Sequence, residues 1–317
     1  MNDNNTTNTQ PNIEEIESLD SSSLSAADVA SLEETFAAIE HKRKKFYQLF
    51  LILLGIMVVG SVFYIILFQY DIIVYLFISG LIVFFILKLQ FDQYKKFYKS
   101  NMEDICLKKT FRDVINRPDM GMDQDVVFGT NILFKGNIYK SKNYICAKYD
   151  NTTFACADVL VEDENKELQS KITYFKGQWY VFQLDHSVNE NLYLADKWFG
   201  IKEIQPDSSG NKIYKKVVAQ DESFAKHYDI FAKSQEIGNA FLNTDLVKIV
   251  NDFDEKTKAR FIICLIEDRI HIGFNKDKAK KFINFFEPIN YETEKEKFLD
   301  DINHVRGLVD QINGLFK

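Results

Sequence analysis

The distribution of apolar residues divides the chain into a strongly hydrophobic N-terminal part and a longer part in which apolar and polar positions alternate. Leu49–Phe68 is twenty residues long and carries no charge, and Ile72–Leu87 is a second uncharged run. A helix rises about 1.5 Å per residue, and the hydrocarbon core of a bilayer is about 30 Å thick. We therefore predict a transmembrane helical hairpin over 46–91, with spans at about 49–68 and 72–88 and a turn at Gln69–Asp71.

The segments that flank the hairpin have different patterns. Residues 1–24 are polar and acidic without a sustained apolar period, so we predict a disordered tail. Residues 25–45 are predicted to form an amphipathic helix that leads through the basic cluster His41–Lys45 into the first span. Apolar residues at helical spacing after the second span predict a membrane-proximal helix over 92–119, ended by Arg117–Asp119.

Lysine and arginine are concentrated on one side of the predicted hairpin. Lys42–Lys45 precede the first span, four lysines follow the second span between 88 and 99, and the turn has neither residue type. The positive-inside rule then places both termini in the cytoplasm. A cleaved signal peptide is the competing interpretation, but its apolar region would be shorter, nearer the N-terminus and followed by small residues at a cleavage site.

Residues 120–317 are predicted to form a cytoplasmic domain with short strands and a few helices. Lys176–Gln178 is predicted as a tight turn between two strands, and Asp268-Arg269 as the turn of a last hairpin over 261–274. The β-branched and aromatic runs that predict the other strands are Asn131–Tyr139, Tyr144–Tyr149, Phe154–Val161, Ile172–Phe175, Trp179–Leu184, Lys215–Ala219 and His227–Phe231.

Helices are predicted in the last third of the chain. They are Gln235–Phe253 with a break at Asn243-Thr244, then Lys278–Phe286, and a long helix from about Thr293. The long helix has an apolar stripe that either packs on its own domain or serves as a partner helix, a coiled coil or an interfacial helix. Its members are Phe298, Ile302, Val305, Leu308, Ile312 and Leu315. The fold class is thus a membrane-anchored α+β protein, with a two-helix transmembrane hairpin before a mostly antiparallel soluble domain.

The net charge of −7 is unevenly distributed. Residues 1–40 contain nine Asp and Glu and neither Lys nor Arg, whereas His41–Lys45 carries four positive charges. Taking these two segments away leaves a charge of −2 for everything from Phe46 onward. A nearly neutral remainder argues against nucleic acid as a partner.

Two of the four cysteines are expected to face each other across a hairpin. Asp150–Thr152 is predicted as the turn, and pairing about Asn151 places Cys146 opposite Cys156, give or take a residue. On the cytoplasmic side of a membrane these two should remain free thiols. Two small apolar side chains on one sheet face explain the same pattern.

The sequence contains no phosphate-binding glycine loop, zinc-binding pattern or nucleophile elbow. Candidates for acid–base chemistry are His227 with Asp229, which would share one strand face, and Asp185 with His186 at a strand end. A polar edge beside buried Tyr228 is the competing interpretation of the first pair, and a solvated turn is that of the second. We predict no cofactor and no metal site, and we interpret the acidic run 162–164 as a charged hairpin connection.

The basic segment, the two adjacent spans and two aromatic motifs resemble a bacterial family of two-span membrane proteins catalogued as a domain of unknown function. Tyr174–Trp179 is similar to that family's F-[KR]-G-aromatic segment, and Asp221–Phe231 is similar to its E-x-F-x-K-x-F-x-V segment. Ala240–Thr244 lies in the helix that follows. The resemblance implies a bacterial cytoplasmic membrane and work alongside other small membrane proteins of envelope maintenance, but it supplies no catalytic residue.

Three functions remain open from the sequence. The leading hypothesis is a membrane-tethered binding or scaffold module that meets the lipid bilayer through its hairpin and recruits protein partners. The alternatives are a membrane-surface enzyme acting on a lipid or small metabolite, and a homo-oligomeric structural assembly. The enzyme hypothesis requires a concave pocket in which a His–Asp pair converges.

Overall fold

The computed structural model describes residues 26–315 except 69–71, 166, 168–169, 186, 207–209, 211, 243–244 and 276–282. The described residues form two compact units. The hairpin unit contains residues 26–110 and 283–299, and the sheet unit contains residues 111–275 and 300–315. The predicted tail over 1–24 and the predicted turn at Gln69–Asp71 lie outside the described residues.

The hairpin unit is built on two long helices, α1 (Ala26–Phe68) and α2 (Ile72–Thr110). The predicted amphipathic helix and the first apolar run form the single helix α1, and both helices are long and apolar enough to cross a membrane. Their apolar side chains point outward: Ile56 is 62% exposed and Phe77 is 66% exposed. An apolar surface of this extent is uncommon on a protein surrounded by water.

The predicted end of the membrane-proximal helix is wrong. The helix ends at Thr110, and Arg112–Arg117 forms a strand, β1. Asp113 has a φ of 50°, which no helix accommodates, and Ile115 pairs with Cys146. Pairing with a neighbouring strand therefore overrides a helical pattern that continued smoothly along the sequence.

The sheet unit contains one nine-stranded sheet in the order β1-β2-β3-β4-β9-β8-β5-β7-β6, with every neighbouring pair antiparallel. The remaining strands are β2 (Ile138–Tyr149), β3 (Thr152–Asn165), β4 (Ser170–Gln183), β5 (Leu192–Asp196), β6 (Lys215–Val217), β7 (Tyr228–Ala232), β8 (Arg260–Ile266) and β9 (Arg269–Asn275). The helices are α3 (Gln124–Phe128), α4 (Glu222–His227), α5 (Gln235–Leu242), α6 (Leu246–Thr257) and α7 (Tyr291–Gly314), with a 3₁₀ turn at Lys197–Phe199. This architecture confirms the predicted antiparallel α+β class.

The two faces of the sheet are covered differently. One face carries Trp179, Val181 and Cys264, and its core continues into Phe128 of α3 and the irregular segment around Ile201. Helices cover the other face. Phe253 of α6 packs against Phe261 and Phe274, with ring centroids 5.1 Å and 5.8 Å apart. Tyr149 donates to Asp310 of α7 at 2.9 Å.

The apolar stripe of the C-terminal helix is buried, which confirms that α7 packs on its own protein. Val305, Leu308 and Ile312 are each at most 1% exposed. Arg306 of the same helix lies over the ring of Tyr149, with its guanidinium carbon 5.1 Å from the ring centroid. The described part of the predicted helix Lys278–Phe286 is not helical.

One strand prediction is corrected by the structure, and β5, like β1, was not predicted as a strand. Residues 131–137 form no strand, since β2 begins at Ile138. The β5 run Leu192–Asp196 has only five residues, all of them buried, and its apolar pattern lacks the alternation that marks a half-exposed strand. The hairpin of β8 and β9 and the break between α5 and α6 are confirmed, although Asn243-Thr244 lies outside the described residues.

The predicted pairing of Cys146 with Cys156 is shifted by one residue. Tyr149 pairs with Thr152, so the turn has two residues, with Asp150 at a φ of 49°. Cys146 consequently pairs with Ala155, and Cys156 pairs with Ile145. A shift of one residue sends a side chain to the opposite face, so the two buried thiols lie on different sides of the sheet.

The predicted turn at Lys176–Gln178 is also wrong, because β4 passes through these residues without interruption. Gly177 pairs with Val159 of β3, and Gln178 pairs with Phe274 of β9. A Cβ atom on Gly177 would lie 2.4 Å from the carbonyl oxygen of Phe274. The glycine is therefore required for the close approach of the neighbouring strand, and not for a turn.

Gly177→Ala is expected to destabilise the sheet unit by about 1–3 kcal/mol, because the obstructing atom belongs to a backbone that cannot rotate away. Amide hydrogen exchange of β4 and β9 peptides in the full chain measures this loss of protection. The matched control is Lys176→Ala, since Lys176 is exposed and its removal should change stability by less than about 0.5 kcal/mol. Equal protection in the two variants would show that the strand tolerates a side chain here.

Candidate functional site

The clearest candidate site is the 3₁₀ turn Lys197–Phe199, which presents one tryptophan to solvent at the end of β5. The side chain of Asp196 accepts a hydrogen bond from the backbone N–H of Trp198 at 2.8 Å and so caps the turn. Gly200 closes the turn with a φ of 64°, a conformation that glycine adopts without steric cost. Trp198 is 61% exposed although its backbone is held at both ends.

The adjacent phenylalanine anchors the turn in the core. Phe199 packs on the sheet, and its ring is stacked on that of Phe175, with centroids 5.9 Å apart. Trp198 meets Phe199 edge-on at 5.1 Å. Phe199 is thus partly buried against the core, and Trp198, in edge contact with it, lies on the solvent side.

Two buried carboxylates hold the cations around this turn. Asp196 is 4% exposed, and it accepts from the Arg260 guanidinium at 3.1 Å. Asp229 is 9% exposed, and its Oδ1 lies 2.7 Å from the Lys216 ammonium and 3.7 Å from that of Lys197. Buried charges require partners of opposite sign, and both carboxylates have them.

The cluster retains positive charge. The single negative charge of Asp229 lies between the two positive charges of Lys197 and Lys216, so this group of three side chains has a net charge of +1. Lys197 also donates to the carbonyl oxygen of Ala225 in α4. We call Trp198 with Lys197, Lys216 and Arg260 the tryptophan surface. It combines an exposed aromatic ring with cations whose positions are fixed.

Of the two predicted acid–base pairs, only His227 with Asp229 lies wholly within the described residues, and its members are not joined. His227 is exposed at the end of α4, and no hydrogen bond or ion pair joins it to Asp229, although the structure describes both residues. Asp185 is exposed and accepts from the side-chain amide of Asn313 at 3.3 Å. His186 lies outside the described residues. The structure thus brings Asp229 to a charged cluster and places its predicted histidine partner elsewhere.

The acidic run 162–164 lies within β3 and is not a hairpin connection. Glu162 is buried, and it pairs with Lys171 of β4 at 2.7 Å and accepts from the Thr173 hydroxyl at 3.2 Å. The Lys171 ammonium lowers the pKa of Glu162. Within the described part of the chain, no group of three His, Cys, Asp or Glu side chains is arranged to hold a metal ion.

One surface depression lies beside α5 and α6, with a volume of about 240 Å³. It is lined by Gln220, Asp221, Asn239, Leu242 and Val247. None of the predicted acid–base candidates is among these residues. The depression therefore does not provide the pocket that the enzyme hypothesis requires.

The tryptophan surface was not predicted from the sequence. The available signal was the order Asp196-Lys197-Trp198-Phe199-Gly200, in which a capping residue and a glycine enclose two aromatic residues directly after an apolar run. This order predicts a tight turn, but it leaves open which aromatic side chain faces outward. The burial of Phe199 against Phe175 decides that.

Comparison with known proteins gives one solved structure and one family. The structure is the crystal structure of the mycobacterial trehalose monomycolate transport factor A, TtfA, with 9% sequence identity, a TM-score of 0.31, and coverage of 53% of this chain and 72% of that chain. A likeness at this level does not establish a common fold. No curated protein matches the chain in sequence. Residues 173–314, from β4 to the end of α7, match the family described as "Protein of unknown function (DUF3137)", which confirms the resemblance to a family of unknown function.

Proposed function

We propose that this protein is a membrane-anchored binding module whose tryptophan surface captures a protein partner. In this proposal α1 and α2 span the bacterial cytoplasmic membrane, both termini are cytoplasmic, and the sheet unit works at the inner face. The observation that carries it is Trp198, which is 61% exposed on a turn fixed by a buried carboxylate.

The outward-facing apolar residues of α1 and α2 support the membrane part of the proposal. None of the residues described in the apolar window of either helix is buried. The lysines of 42–45 precede the first apolar run, and those of 88–99 follow the second. In a helical hairpin these two positions are at the same end. Such a bias retains that end on the cytoplasmic side during insertion.

The rigidity of the turn supports the binding part. A tryptophan at the centre of an interface commonly contributes 2 kcal/mol or more when truncated, roughly a thirtyfold change in affinity. Little conformational entropy is lost on binding because the turn is already held by two hydrogen bonds, from Trp198 N–H to Asp196 and from Gly200 N–H to the carbonyl oxygen of Lys197. Lys197, Lys216 and Arg260 are each 41–54% exposed in their side chains, which favours a partner segment with acidic residues.

Trp198→Ala is expected to weaken partner binding by about thirtyfold or more while the sheet unit stays folded. The measurement starts with in-cell photo-crosslinking from a benzoylphenylalanine at position 198, which identifies the partner, followed by titration of the purified full chain. The matched control position is Ile172, which is 56% exposed on β4. Ile172→Ala should leave affinity unchanged.

Three outcomes of this experiment separate the hypotheses. A heterologous product from position 198 and none from position 172 supports a partnered module. A product with the mass of two copies of this chain would instead support the homo-oligomeric assembly. Identical product patterns from the two positions would contradict a binding role for the tryptophan surface.

A further inference from the structure

Residues 283–290 form an irregular segment that lies against the two long helices of the hairpin unit. The ring of Phe285 is 4.8 Å from that of Phe46 and 5.9 Å from that of Phe91, measured between centroids. Phe285 and Phe286 also contact each other, with centroids 4.1 Å apart. The remaining ring contacts are those of Phe285 with Phe50 and of Phe286 with Tyr47 and Phe50.

An ion pair with a buried arginine fixes this segment to α1. Arg43 is 5% exposed, and its guanidinium donates two hydrogen bonds to Glu40, at 2.8 Å and 2.6 Å. The same guanidinium donates to the carbonyl oxygen of Phe285 at 2.8 Å. Glu40 in turn accepts from the backbone N–H of Ile289 at 3.4 Å. The segment is thereby attached at two of its backbone groups.

The contacts define how far along the helices the two phenylalanines lie. Phe50 is the second residue of the uncharged run 49–68, and Phe286 touches it with a centroid separation of 5.9 Å. Phe286 is nevertheless 56% exposed. A large apolar ring that is open to its surroundings therefore lies where the apolar surface of α1 begins.

Positive charges surround the same level of the helices. Lys44, Lys45 and Lys88 are exposed, as are Lys95 and Lys96 about two turns further along α2. Membrane-surface segments bury Phe, Trp and Leu side chains at the boundary between headgroups and acyl chains, and juxtamembrane lysines attract anionic headgroups. Both features match one occupant, the lipid surface of an anionic leaflet.

We propose that Phe285 and Phe286 form an interfacial wedge, in which Phe286 enters the headgroup–acyl boundary of the cytoplasmic leaflet beside the first span. This inference rests on the proposed function, since it requires α1 and α2 to be inserted. It adds a membrane contact from a segment almost two hundred residues after the second span in sequence. Arg43 and Glu40 hold the wedge at the depth at which the apolar run begins.

Tryptophan fluorescence tests the wedge in the full chain. Phe286→Trp is made in a Trp198→Phe background and reconstituted in nanodiscs of phosphatidylcholine and phosphatidylglycerol, with acyl chains brominated at carbons 6 and 7. Because the Trp198→Phe parent retains Trp179, its emission is recorded under the same conditions and subtracted from that of each variant. The expected result for position 286 is a blue-shifted difference emission that the bromine atoms quench at least half as strongly as that of Ile56→Trp. Because Phe286 is half exposed, the larger ring fits without repacking, and an unchanged circular dichroism spectrum verifies this.

Two control positions make the outcomes separable. Ile172→Trp has the same 56% exposure as Phe286 but lies on the sheet, so its emission should not be quenched. Quenching of Ile56→Trp without quenching of Phe286→Trp would overturn the wedge and leave the membrane anchor intact. Loss of quenching at both positions would overturn the membrane anchor itself.

Discussion

Trp179→Ala is expected to lower the free energy of unfolding of the sheet unit by about 3–5 kcal/mol. Trp179 is 0% exposed, and its ring meets that of Phe175 edge-on at 5.3 Å. A Cβ on Gly273 would lie 2.8 Å from the indole ring, so the ring rests directly on the β9 backbone. Removing it leaves a cavity that the fixed strands cannot close.

Hydrogen exchange of the central strands in the full chain measures this change, and protection should fall by about 150-fold or more. Trp179→Phe is the matched control. The indole Nε1 of Trp179 has no hydrogen-bond partner among the residues that the structure describes, so phenylalanine removes volume without breaking a hydrogen bond. Its cost should be less than half that of alanine. Equal losses for the two variants would mean that the cavity is not the cause.

Acidification is expected to destabilise the sheet unit through His271. This side chain is 7% exposed, and burial, aided by the charge of Arg269, lowers its pKa to about 4. The ordinary pKa in an unfolded chain is about 6.5. Above that pH the histidine is neutral in both states and has no effect on the pH dependence of stability.

As the pH falls from about 6.5 to about 4, the unfolded chain binds a proton that the folded chain does not bind. Stability should therefore decline by about 1.4 kcal/mol per pH unit, which amounts to about 3 kcal/mol over this window. Unfolding of the full chain by denaturant at pH 7, 6 and 5 measures the decline. His271→Asn cannot bind the proton, so its stability should decline less steeply. Parallel pH profiles of the two proteins would contradict this role.

The general architecture was predictable because it depends on features that repeat along the sequence. The two long apolar helices follow from length and absence of charge, and α7 follows from an apolar stripe that recurs at helical spacing. The β8–β9 hairpin follows from two apolar runs separated by a polar turn. In each case many residues carry the same signal, so no single contact decides the outcome.

The corrected details depend on contacts between segments that are distant in sequence. A glycine at position 177 is compatible with a tight turn and equally with the close approach of the Phe274 backbone, which lies almost a hundred residues later. The short strand β1 exists because Ile115 meets Cys146, and nothing in the local sequence opposes continuation of the helix. Local pattern cannot distinguish such alternatives when the deciding atom belongs to another strand.

The candidate site was predicted only in part for the same reason. Asp229 was identified, but its partners Lys216 and Lys197 come from a neighbouring strand and from the turn after β5. Both tryptophans are flanked by aromatic residues, yet Trp179 is fully buried and Trp198 is 61% exposed. Composition does not separate a core tryptophan from a surface one, whereas the packing of Phe199 does.

The outermost strands of the sheet determine how it meets other copies of itself. An unpaired strand edge offers backbone groups to any second sheet, which leads to aggregation unless the edge is short, charged or bent. β6 has three residues, two of which are the exposed Lys215 and Lys216. β1 carries a register shift between Arg112 and Ile115. Neither edge therefore favours sheet extension, so the protein can accumulate at high local density without joining edge to edge.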